Sequence, residues 1–173
     1  MQAMDIASAI LFAAASVVGL SSLLCVRRMI GAGGTPARLV WSGRALALLG
    51  AAVAIAFPGV LYRELVDIAL PQGADVTWMR TGIAQTALLM PLTVIPALVA
   101  LRRSLFGGSL FALNAIVSAV LVAYDPFGAF PYRDVAGGLV FDVGPRLLTA
   151  ALLLGGAVRR QHPKPLATGA IST

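Results

Sequence analysis

A chain of 173 residues has one domain's length, and 59% hydrophobic against 12% charged residues, at a mean hydropathy of +0.91, excludes an ordinary soluble domain. The formal charge of +6 is carried almost wholly by arginine, in short clusters beside apolar runs and without basic-aromatic blocks, so the bases read as topology determinants and nucleic acid is not an expected partner. Cys25 and His162 each stand alone, which excludes an internal disulfide, a cysteine metal centre and bis-histidine haem, and no cofactor is expected.

The composition therefore predicts an all-α polytopic membrane protein. Ile6 to Val26 has no charge over 21 residues, enough to cross a hydrocarbon core of about 30 Å at about 1.5 Å per residue. A cleaved signal peptide is the competing reading. The preceding MQAMD lacks the positive n-region that such a peptide needs, so a retained first span is expected. Arg27 and Arg28 close it, and the glycine-rich GAGGTPAR reads as a turn.

The second span runs from Leu39 to Leu61, with Pro58 set to bend its far end. Arg44 lies inside it, either as a cation facing a pathway or, in the favoured reading, as an arginine snorkelling back to the interface beside Trp41. Small residues recur at Gly43, Ala47, Gly50 and Ala54, as they do at Ala15, Gly19 and Ser22 in the first span. That spacing lets helix backbones approach closely.

From Tyr62 to Arg80 a polar connection is expected, with Leu65, Ile68 and Ala69 forming one amphipathic turn on the membrane surface and Trp78 an interfacial anchor. The third span, Thr81 to Leu101, begins with the polar Gln85 and contains Pro91 and Pro96. Each proline removes a backbone donor, and the carbonyl it frees needs a partner from a neighbouring helix or water. Arg102 and Arg103 follow, then a tight connection through Gly107 and Gly108. The fourth span, Phe106 to Tyr124, carries Asn114 near mid-depth, where an amide is expected to bond an adjacent helix. The likeness of VRRMIGAGG to LRRSLFGG is weak evidence of a duplicated hairpin, because spacing to the next span differs.

The stretch from Asp125 to Arg160 concentrates the remaining charge. A fifth span from Leu139 to Val158 sets Asp142 and Arg146 four residues apart on one helix face, acid first, as a local ion pair or as a site. A second geometry starts the helix at Pro145 and lets the segment from Ala136 dip into the protein. In either case Asp125, Arg133, Asp134, Asp142 and Arg146 form the candidate ligand pocket, with Tyr124 and Tyr132 beside it. Residues 161–173 read as a disordered tail.

Five spans put Arg27, Arg28, Arg38, Arg44, Arg102, Arg103, Arg159, Arg160 and Lys164 on one side and all seven acids on the other. The positive-inside rule then predicts a cytoplasmic C-terminus and an external N-terminus, in a bacterial plasma membrane if the Ala-, Gly- and Arg-rich composition marks a GC-rich source. Nothing supplies a nucleophile with a matching histidine, a P-loop, an HExxH motif or a dinucleotide fingerprint. The leading expectation is an accessory or interaction subunit of a larger membrane assembly, with membrane lipids and other subunits or further copies of the chain as partners. A small oligomeric transporter or channel is second, and an enzyme acting on a lipid headgroup at the outer leaflet third.

Overall fold

The computed structural model describes residues 2–73, 76–124 and 139–161, which are almost entirely helical and include no strand. Five long helices follow in order: α1 Gln2–Ile30, α2 Thr35–Glu64, α3 Thr77–Arg102, α4 Ser104–Tyr124 and α5 Gly144–Gln161. Two π-helical turns extend them, Leu65–Ala69 after α2 and Leu139–Val143 before α5.

Four of these helices are long and apolar enough to cross a membrane, which agrees with a multi-pass membrane protein. Their outward faces are correspondingly apolar: Leu20 is 63% exposed, Leu88 77% and Ile116 62%. In water such a surface would aggregate; facing acyl chains it costs nothing. α5, about 27 Å long and carrying Arg146, Arg159 and Arg160, is not one of these four. The preceding π-turn extends it at its N-terminal end.

α2 is the central helix, packed against α1, α3 and α5, while α4 closes the bundle between α3 and α5. Consecutive helices run antiparallel. Met29 meets Ser42 beside the first turn, and Ser8 and Phe12 approach Gly59 at the other end of the same pair. The small-residue stripes are used here: a Cβ on Gly19 would meet Ala52 at 3.7 Å, and one on Gly43 would meet Leu153 at 2.8 Å. Ala47, Ala51, Ala97, Ala100, Phe111, Ala150 and Leu153 form the main core, which lies in the half of the bundle that ends in arginines.

Two expectations about connections are corrected. Gly107 and Gly108 are not a turn; they lie inside α4, which restarts at Ser104 after the single residue Arg103. Their role is proximity, since a Cβ on Gly107 would fall 2.5 Å from the Ala100 Cα atom. Nor is the turn at Leu65 to Ala69 a separate element. It continues α2, and Leu65 and Ala69 bury against Met79 at the start of α3, while Ile68 stays exposed.

Candidate functional site

In the half of the bundle away from the paired arginines, helices α2 to α5 part around a cavity of about 440 Å³. Leu49, Val53, Phe57 and Leu61 of α2 and Leu89 and Met90 of α3 give it an apolar wall, and Phe111 forms its floor next to the core. The opposite side is polar: Thr93 from α3, Asn114 and Ser118 from α4, and Asp142, Arg146 and Thr149 from α5 with its leading turn.

The charged pair owes its position to the start of α5. Pro145 has no N–H to give, so the first turn of this helix need not follow the ordinary ladder, and the π-turn delivers Asp142 one turn ahead of Arg146. Arg146 Nη1 donates to the Asp142 carboxylate and, at 2.6 Å, to the Asp142 backbone carbonyl. Nη2 reaches Thr93 Oγ1 at 3.5 Å, across to α3. Nε is buried and has no hydrogen-bond partner among the described residues. An arginine donor left unmatched beside a cavity is costly unless a ligand or water meets it.

Asn114 does what an amide inside a membrane must do, and its partner is specific. Its Nδ2 donates at 2.7 Å to the Leu92 carbonyl. That carbonyl stands four residues before Pro96, which cannot supply the N–H an α-helix would send back to it. The proline on α3 creates the vacancy, and the asparagine on α4 fills it while its flank lines the cavity.

Arg44 sits elsewhere. It stacks over Trp41 with its guanidinium carbon 4.7 Å from the ring centre, and donates to the Ala100 carbonyl at 3.0 Å and to Ser104 Oγ at 3.1 Å. It therefore ties α2 to the last turn of α3 and the first of α4, where carbonyls lack helical donors and the helix dipole favours a cation. It is not in the cavity.

Of the residues expected to form the pocket, Asp142 and Arg146 come together; Asp125, Arg133 and Asp134, with Tyr132, lie outside the described residues, as does the side chain of Gln85. Thr93, Ser118 and Thr149 were not anticipated. Each had a signal in spacing, for Ser118 is four residues from Asn114, Thr149 three from Arg146, and Thr93 seven from Thr86, which lines the same cavity. Among the described residues no three His, Cys, Asp or Glu side chains gather as metal ligands. Chemically, the arrangement offers a hydrocarbon-compatible wall, hydroxyl and amide groups at mid-depth, and one guanidinium with donor capacity to spare. Comparison with protein families, curated proteins and solved structures finds no match for this chain, so the site is read from its own geometry.

Proposed function

We propose that this protein is a small carrier or receptor for an amphiphilic molecule, held in the bundle cavity with its apolar part along α2 and its polar or anionic end at Arg146. The observation that carries this reading is the cavity of about 440 Å³ whose apolar wall faces the Asp142–Arg146 pair and a buried, unmatched Arg146 Nε. A cavity of this size suits a compact ligand or part of a lipid. The close-packed core beneath Phe111 supports a carrier open on one side and shut on the other.

The accompanying topology is five crossings, with the N-terminus outside, in a cell membrane. It is supported by the paired arginines at one end of antiparallel helices, where no described acid joins them, against the other end, where Glu64, Asp67 and Asp142 balance Arg63, Arg80 and Arg146. The cavity then faces the outer leaflet. An accessory role draws less support than the sequence offered, because the small-residue stripes of α1 and α2 pack within the chain itself.

The test is extraction of the full chain in mild detergent, followed by mass spectrometry of the small molecules and proteins that accompany it. A small amphiphile should co-purify with the wild type and be lost from Arg146→Ala. It should also be lost from Gly50→Leu, which fills the cavity from a position whose Cβ would meet only Thr93, at 3.9 Å. A stoichiometric protein partner and no small molecule would point to the accessory role instead.

A further inference from the structure

At the other end of the molecule, eight arginines lie within the described residues: Arg27, Arg28, Arg38, Arg44, Arg102, Arg103, Arg159 and Arg160. No acid joins them there among the described residues, since Glu64, Asp67 and Asp142 all belong to the opposite end. Arg44 is occupied by Ala100, Ser104 and Trp41, and Arg28 also lies over the Trp41 ring, 5.1 Å from its centre. Arg103 and Arg160 are exposed, and their side chains make no hydrogen bond or ion pair with any described residue. Both line a second recess, of about 430 Å³, between the start of α4, the first turns of α2 and the end of α5. Gln161 completes its polar rim; Leu105 and Phe106 give it an exposed apolar side, and the buried Val40 and Ala157 close its base.

We infer that this recess is a binding site for one anionic phospholipid, its phosphate held between Arg103 and Arg160 and the start of its acyl chains lying on Leu105 and Phe106. Charge complementarity selects the occupant. Guanidinium groups match phosphate oxygens in bidentate geometry and lose less hydration than lysine on doing so. Basic recesses between helix ends at a membrane surface hold anionic headgroups for this reason. A free anion would satisfy the arginines but leave Leu105 and Phe106 uncovered, whereas a lipid meets the bases and the apolar side together. The site is separate from the cavity around Arg146 and stands whether or not that cavity takes a ligand.

The full chain, delipidated in detergent, is titrated with dioleoylphosphatidylglycerol, dioleoylphosphatidylcholine or inorganic phosphate, and bound lipid is counted by native mass spectrometry. One phosphatidylglycerol should bind saturably and in preference to phosphatidylcholine. The Arg103→Gln/Arg160→Gln variant should bind it about 30-fold more weakly, as two basic groups at an anionic headgroup imply. The Arg27→Gln/Arg102→Gln variant, which loses equal charge at the same end but outside the recess, should stay within about twofold. Equal weakening by both pairs would mean a diffuse field and overturn the site. So would displacement of the lipid by millimolar phosphate, or the absence of headgroup preference in the wild type, a readout that needs no variant.

Discussion

Asn114 and Pro96 act as one unit although 18 positions and a helix reversal separate them. If the amide is there to replace the N–H that proline lacks, its value must depend on the proline. Asn114→Ala should lower stability by about 1 kcal/mol, the scale of interhelical hydrogen bonds in membranes. In a Pro96→Ala background, where residue 96 can donate to the Leu92 carbonyl itself, the same change should cost close to nothing. Unfolding in mixed micelles of the four proteins of this cycle measures the coupling, and a cost independent of residue 96 would break the link. Arg44 offers a second case. It donates to two groups on two helices, so Arg44→Ala should destabilise by about 1.5 to 3 kcal/mol, and Arg44→Lys should recover only part, because an ammonium cannot span both acceptors while stacking on Trp41. That an amide at mid-span needs a partner was legible from the residue alone. Which carbonyl it takes was not, since this depends on the register of α3 against α4.

Between helices, the decisive residues are the smallest. Gly107 and Gly156 are sites where backbones nearly touch: a Cβ on the first would lie 2.5 Å from the Ala100 Cα atom, and one on the second 2.9 Å from the Pro36 carbonyl oxygen. Neither neighbour is the free end of a side chain, so nothing can give way cheaply. Gly107→Ala should therefore cost about 1 to 3 kcal/mol by overpacking. Gly155→Ala, whose Cβ would meet nothing within 4 Å, should be neutral or stabilise the helix by about 0.5 to 1 kcal/mol. Thermal unfolding of the two variants side by side checks the contrast. The sequence alone misassigned Gly107 and Gly108 to a turn, because arginines followed by glycines look the same whether the chain is reversing or two helices are approaching. Hydropathy located the four apolar helices well, since bilayer thickness fixes their length. It could not see that α2 continues through a π-turn to Ala69, an extension set by burial of Leu65 and Ala69 against Met79.

For the molecule as a whole, charge and packing divide the bundle at the same level. The arginine half is close-packed around Leu153 and Phe111, and the other half holds the cavity and the described acids. Much of this division was legible, because it follows from where charges fall relative to apolar runs. The cavity was not, because its walls come from α2 and α3, which carried no sign of a site beyond prolines and scattered threonines. The proposed orientation rests on a cost: translocating a span flanked by paired arginines is unfavourable, and α1, α3 and α5 are each closed by such a pair. Two hairpin connections and the end of the last helix thus argue for the same side. In a Cys25→Ser background, a cysteine at Gly33, exposed in the turn after α1, should react with a membrane-impermeant maleimide only after cells are permeabilised. A cysteine at Gln72, exposed in the turn after α2, should react in intact cells. The reverse pattern would invert the molecule and turn the cavity to the cytoplasm. Labelling of both positions in intact cells would mean that α2 does not cross, a result irreconcilable with its central place between α1, α3 and α5.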